Sequence, residues 1–413
     1  MYIQLSHIKK QLNYRKTNRP FDTLPLGSAM KFRRRELGMT LQEAALDLTS
    51  VSYLSKLENN LIKPNMKYVK LYEKRLSSTF NQHGYDQDYK DQLTSVLLAL
   101  LLNQEVNEDI IKLYDSKKDH QSYLFMFAYY VSKGELDNIK TYYESLKLYI
   151  PNFMDLEVHV FLTCVAQILF SEERYIDSNH TIALFPKLDN DNLVIETIEL
   201  KYKLKCAFHL MRFIDIEHIY RDYISNLQTM HAFDLLYEAN IQYLIYQARY
   251  KSINYIEESL NKSPSMNFED KKYIQSICHY HRGNFEKAKA LVEPYVERDE
   301  RWLVLYLLSL DSLGSTEDIK RILKDKISKT FVNKTTALIV RHLYFKYLKE
   351  QDQLLTYLRE LVSNQSLFTD NYQTKAYLYR DSASIFKQNF LYKEAHQVAQ
   401  QGFIEHQLCL TSN

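Results

Sequence analysis

Seven glycines and seven prolines in 413 residues are too few turn formers for hairpins or α/β loops, since average usage is about 7% and 5%. A β-rich or Rossmann-like chain is thereby excluded, while 34 Tyr, 20 Phe and one Trp supply the bulk for a large helical core. Net charge is only +2, yet residues 1–76 hold 15 Lys/Arg against 6 Asp/Glu and the remainder 38 against 45. A small basic head on a large acidic body implies that only the head meets a polyanion.

Cys164, Cys206, Cys278 and Cys409 lie far apart with no CxxC pair. That excludes the usual zinc spacings and a disulfide framework, and fits a reduced, cytoplasmic compartment. The longest aliphatic run, Val96 to Leu102, is 7 residues, against the ~18 of a membrane span. No apolar segment of signal-peptide type follows the N-terminal charges. The expectation is a soluble, all-α, cytoplasmic protein without membrane contact.

In chain order, residues 1–25 form a basic leader with Lys9, Lys10, Arg15, Lys16 and Arg19. Its composition suits an arm on DNA, a dimer contact or disorder. Residues 26–76 read as four or five short helices. Gly38 follows the periodic Met30-Phe32-Arg33-Leu37 stretch as a helix stop. Thr40 and Glu43 form a capping box for the next helix, whose buried face is Ala44, Ala45 and Leu48. Thr49 or Ser50 caps a third helix through Glu58, with Leu54 and Leu57 on its core stripe. Val51, Ser52, Ser55, Lys56 and Asn59 then project outward. Asn59-Asn60 is a turn, Pro64-Asn65 starts another helix, and Val69, Leu71, Tyr72 and Leu76 close the core.

That outward face suits a major groove: serines and an Asn pair with base edges, Val51 touches a thymine methyl, and Lys56 reaches a base or phosphate. Lys31, Arg33, Arg34, Arg35 and the leader cations add phosphate attraction. Arg34 sits where it pairs with Glu58 at the end of the third helix, and a structural ion pair is favoured over a phosphate contact.

The run "LGMTLQEAALDLTSVSYLSKLENNLIKPN" resembles the Cro/repressor-type helix-turn-helix of the RRNPP family, peptide-pheromone regulators of Gram-positive bacteria and their phages. The family includes NprR/PlcR-type regulators and phage arbitrium receptors. Ser50 to Asn60 is close to that family's recognition-helix pattern. The tight turn lacks the usual glycine, and Leu41 stands where the family has a Gln, leaving Gln42 to take over a common phosphate contact. The resemblance thus implies DNA contacts from Ser50, Val51, Ser52, Ser55, Lys56, Asn59, Gln42, Arg33 and Arg35.

Residues 77–91, with Gly84, are the linker candidate, and 92–413 carry a recurrent pattern. A turn residue is followed two later by an aromatic or aliphatic residue, and three after that by a small or aliphatic one. Gly134-Glu135-Leu136 leads to Ile139, Tyr175 to Ser178, Phe213 to Ile216 and Tyr250 to Ile253. Gly283-Asn284-Phe285 leads to Ala288, Gly314-Ser315-Thr316 to Ile319, Gln353 to Thr356 and Tyr392 to Ala395. The spacings are 39, 38, 37, 35, 31, 37 and 39, around the ~34-residue period of tetratricopeptide repeats. A ninth, degenerate unit lies near Val106 to Asp109. Helix pairs that bury one face on their neighbours stack into a right-handed superhelix with a concave groove.

The same resemblance implies that the groove binds a short linear signalling peptide and that the chain is a homodimer on a DNA operator. An extended peptide needs side-chain amides for its backbone and charges for its termini. The candidates on first helices are Gln167, Lys201, Lys205, Asn240, Tyr243, Arg341, Arg380 and Asp381, and Asn240 is flanked by apolar residues. Two other readings stand beside it: a scaffold that sequesters a partner protein, and a prophage or plasmid repressor without peptide.

No cofactor, metal site or enzymatic role is expected. His279 and His281 point to different sides of a helix, and no HExxH occurs. Adjacent carboxylates at Glu172-Glu173 and Glu257-Glu258 diverge, and so few glycines exclude a phosphate-cradling loop.

Overall fold

The structure, a computed structural model, describes residues 3–18, 26–59, 61–78, 80, 87–115, 120–187, 192–363 and 369–411. Among them there is no strand, and the fold is all-α, with a helical repeat-like body following the short helices of the N-terminal head. It packs as two compact units: Met1–Leu169 with Asp177–Tyr202, and Phe170–Ile176 with Lys203–Asn413.

In the first unit, α1 (Leu5–Asn18) buries Ile8 and Leu12. α2 (Leu26–Glu36) stops at Gly38, whose φ of +68° is the left-handed end that glycine adopts without penalty. α3 (Leu41–Ala45) carries the capping box: Thr40 N–H donates to Glu43 Oε2 at 2.7 Å, and Glu43 N–H to Thr40 Oγ1 at 3.2 Å. Asp47 takes the left-handed position of the following turn, with φ +60°, a conformation Asp tolerates better than most residues.

α4 (Val51–Glu58) is capped by Ser50, while the Thr49 hydroxyl meets Tyr72 OH. α5 (Met66–Arg75) starts from Asn65, whose side chain accepts from Lys67 N–H at 3.0 Å. Residues 26–76 thus hold four helices. Leu26, Met30, Ala44, Ala45, Leu54, Leu57, Val69, Tyr72 and Leu76 form their core with Phe80. Alanines let α4 approach α3 closely.

α6 (Gln87–Leu101) begins inside the stretch read as a linker, and pairs in sequence with α7 (Glu108–Asp115). α8 (His120–Lys133) with α9 (Leu136–Leu146), and α10 (Asp155–Ser171) with α11 (Tyr175–Ile182), follow across the short 3-10 turn Ile150–Asn152. Next comes α12 (Leu193–Leu210), which the boundary between the units crosses.

The second unit continues with α13 (Phe213–Thr229), α14 (Phe233–Ala248) with α15 (Ile253–Asn261), and α16 (Phe268–His281) with α17 (Phe285–Val292). α18 (Glu300–Leu313) with α19 (Thr316–Lys326), α20 (Lys334–Leu348) with α21 (Gln351–Ser363), and α22 (Tyr372–Gln388) with α23 (Tyr392–Thr411) complete it. The single tryptophan, Trp302, is fully buried against Tyr273 and Tyr295.

Five second helices bury their fourth residue as expected: Ile139, Ser178, Ile216, Ala288 and Ile319 lie at 3% exposure or less, whereas Ala395 of α23 is only half-buried and Val398 takes the buried position. In two pairs the expected register is corrected. Ser252 caps α15, so the buried residue is Ile256 rather than Ile253; α21 starts at Gln351 and buries Leu354, leaving Thr356 exposed. Neither pair has a glycine in its turn to mark the phase.

Two residues before the second helix, the chain turns left-handed at Gly134, Glu173, Met211, Gly283, Gly314 and Phe390. Non-glycine residues therefore occupy half of these strained turns. Glu173 is held there by its own bonds: its carboxylate accepts from Thr335 N–H and Thr335 Oγ–H, both at 2.9 Å, at the start of α20.

Candidate nucleic-acid interface

The outward face of α4 is set by three features. Ser50 Oγ accepts from Tyr53 N–H at 3.1 Å and fixes the N-terminus. Leu54 and Leu57 anchor the inner face. Arg34 clamps the end, with Nε and Nη2 donating to both Glu58 oxygens at 2.6 and 2.8 Å, and Nη1 to the Met39 carbonyl at 2.7 Å. A bidentate guanidinium–carboxylate pair this deeply buried has both geometry and charge satisfied.

Val51, Ser52 and Lys56 are left exposed on the opposite face, and so is Gln42 on α3. Other expected DNA contacts are engaged within the protein. Asn59 accepts from Lys31 Nζ at 2.8 Å and donates through Nδ2 to the Ser55 carbonyl at 2.8 Å, so it serves as the cap of α4. Burial, and then the neighbouring Arg35, lower the Lys31 ammonium to about 8. Arg33 donates to the Leu76 carbonyl at 3.2 Å and to Glu36 at 3.1 Å, closing the end of α5. Ser55 is half-buried, Ser50 is the helix cap, and exposed Arg35 lies over the Tyr149 ring.

In the leader, α1 exposes Lys9 and Lys10, but Arg15 is buried. It donates to the Phe153 carbonyl at 2.7 Å and pairs with Asp155 at 2.5 Å, which removes it from the phosphate-facing set. Arg19 and Asn60 lie outside the described residues, as does the side chain of Lys16.

The groove candidates are mostly tied up internally. In the first unit, Gln167 accepts from Tyr202 OH at 3.3 Å. Lys201 is 1% exposed and caps the end of α6, donating to the Leu101 carbonyl at 2.5 Å and to Asn103 Oδ1 at 2.7 Å. That geometry corrects the expectation for Lys201: an ammonium enclosed by carbonyls at a helix C-terminus is a structural cap.

In the second unit, Lys205 pairs with Glu238 at 2.8 Å. Asn240 Oδ1 accepts from Tyr220 OH at 2.5 Å, and Tyr243 stacks on Tyr220 at 3.8 Å while donating to Glu217. Arg341 lies over Phe345 and Tyr357, and Arg380 is exposed. Asp381 accepts from His342 at 2.8 Å and Lys346 at 2.9 Å. Burial pushes the Asp381 carboxyl up, but these two partners outweigh it and hold it below its ordinary value.

Sequence reasoning missed the rest of this network. Lys346 also donates to Asp311, which accepts from Tyr347 and Tyr377 hydroxyls at 2.7 and 2.9 Å. Asp311, Lys346 and Asp381 are 35 residues apart in each step, so an alternating charge recurring at the repeat period was the available signal. Among the described residues no cluster of metal-ligating side chains occurs.

Residues 30–81 match the helix-turn-helix family HTH_3, of Cro/C1 type. The chain therefore carries a DNA-binding helix-turn-helix, as a regulator of transcription does. No curated protein matches the chain. No described helix is long and apolar enough to cross a membrane.

Proposed function

We infer that the protein is a cytoplasmic transcriptional regulator whose α4 reads an operator and whose helical array binds a short signalling peptide. The observation that carries the DNA half is the exposed Val51-Ser52-Lys56 face on a helix capped and clamped within a matched helix-turn-helix. Phosphate contacts supply affinity and base contacts supply discrimination. One head offers few of either, so a homodimer on two half-sites completes the reading. The peptide half is supported by the family resemblance and by the polar first helices of a tetratricopeptide-like array. A bound peptide would favour one curvature of the array and so one spacing of the heads.

The pairing of Lys205, Asn240 and Asp381 with neighbours favours a second reading, a repressor whose array serves assembly alone. Selection of DNA fragments by the purified protein at fixed salt, with and without host peptide extract, separates them. Retention that changes with extract supports the peptide-gated regulator, unchanged specific retention the plain repressor, and no specific retention a protein-interaction scaffold. Lys56→Ala is expected to weaken binding about tenfold and to reduce the salt slope by about one charge. Its melting temperature should stay that of the wild type, because the side chain is exposed.

A further inference from the structure

The C-terminal end of α4 is held from outside the head. A helix leaves its last carbonyls without intrahelical donors. The Glu58 carbonyl accepts instead from Asn152 Nδ2 at 3.1 Å, a residue 94 positions along the chain in the turn between α9 and α10. Asn152 is 5% exposed, so water does not substitute for it freely. Two further contacts join the same regions. The Arg35 guanidinium lies 5.9 Å from the Tyr149 ring centroid, and Tyr123 OH donates to Glu36 Oε1 at 3.3 Å.

The segment that makes this contact is itself fixed from behind. Glu157, fully buried, accepts from Met154 N–H at 2.8 Å and from Tyr89 OH at 2.7 Å, with His120 Nε2 at 3.4 Å. The His120 ring stacks on both Tyr149 and Phe153. Arg15 of α1 binds the Phe153 carbonyl and Asp155. Elements α1, α6, α8 and α10 thus converge on residues 149–155, which present one amide and one aromatic ring to the head.

We propose that the 149–155 segment is a positioning element for DNA recognition, with Asn152 and Tyr149 setting where the reading face of α4 lies. The inference rests on α4 as the DNA-reading helix. Its consequence is that the orientation of α4 follows the first helix pairs directly. A displacement of a helix by about 1 Å is enough to misplace the contacts of its side chains with base edges.

The test uses the full-length chain with Asn152→Ala, Asn152→Asp, Tyr149→Leu and Tyr149→Phe. One measurement is hydrogen exchange at the Asn59 and Leu61 amides, which bond to the Ser55 and Lys56 carbonyls. The other is affinity for a duplex that the wild type selects from random sequence, against a scrambled duplex at the same salt. Asn152→Ala and Tyr149→Leu are expected to speed exchange at both amides about tenfold, with the Ala44 amide of α3 unchanged. The selected-to-scrambled ratio should fall about tenfold while scrambled affinity and its salt slope persist. Tyr149→Phe keeps the ring and should lie closer to the wild type than Tyr149→Leu; Asn152→Asp, isosteric but with a carboxylate in place of the donor, should lose at least as much as Asn152→Ala. Unchanged exchange and ratio overturn the proposal, and so does equal loss on both duplexes with a lowered melting temperature. If the wild type selects no duplex, the DNA reading of α4 falls, and exchange alone decides whether the segment fixes that helix.

Discussion

Polar side chains do opposite work in the head and in the array. On the outer face of α4, Ser52 and Lys56 are exposed beside Val51, and among the described residues no side-chain bond of theirs fixes the fold. On the first helices of the array, Lys201, Lys205, Asn240 and Asp381 are each held by a neighbouring side chain or carbonyl. The difference follows from geometry. A short helix packed on one side of a small core has a free face, whereas a helix between two stacked pairs meets protein on most of its circumference. Exposure rather than polarity therefore marks a surface ready for a partner.

The head depends on one buried pair, and breaking it should give the largest effect. Arg34→Ala leaves the Glu58 carboxylate buried at 2% exposure without its bidentate partner. Removing one member of such a pair typically costs about 3–5 kcal/mol. The head should unfold at a lower temperature than the array, visible as a separate early transition in calorimetry and as loss of DNA binding. Replacing both members, Arg34→Met with Glu58→Leu, should recover much of the stability, since no lone charge is then buried. A double variant as unstable as Arg34→Ala would show that the pair does more than neutralise itself.

Lys201 offers the sharpest contrast with Lys56. Lys201→Met keeps the length of the side chain but leaves the carbonyl of Leu101 and Asn103 Oδ1 without their donor. The expected cost is about 1–3 kcal/mol, the usual penalty of orphaned buried groups. It should appear as a lower melting temperature with the ratio of selected to scrambled DNA affinity intact. If the variant melted like the wild type and lost a ligand instead, the assignment of Lys201 as a helix cap would be reversed.

The head was legible because its signals are local and redundant. Gly38, the Thr40–Glu43 box and the Leu54–Leu57 stripe each set the same register, and the structure has all three. The repeat pattern was legible for the same reason wherever a glycine marked the turn. It slipped by three residues at α15 and by two at α21, whose turns lack one. The internal bonds of Asn59 and Arg33 were not legible, because capping of a helix end by its own side chain and closure of α5 by a distant guanidinium depend on three-dimensional neighbours. The Asp311–Lys346–Asp381 ladder was readable in principle, but only after the repeat register is known.

The six left-handed turns supply the subtlest test, because three contain glycine and three do not. Phe390 has φ +61° and is 78% exposed, so its ring contributes little burial while its Cβ strains the backbone. A left-handed L-residue costs about 1–2 kcal/mol, part of which glycine returns through its greater freedom when unfolded. Phe390→Gly should therefore stabilise the second unit by about 1 kcal/mol, raising its melting temperature by about 2–4 °C. Gly283→Ala is the mirror experiment. A Cβ built there meets no atom within 4 Å, so its cost of about 1 kcal/mol would come from the backbone alone. Thermal denaturation of both full-length variants checks the pair of signs. Should Phe390→Gly lower the melting temperature instead, the exposed ring holds the last helix pair in place, and the equivalence of the six turns is wrong.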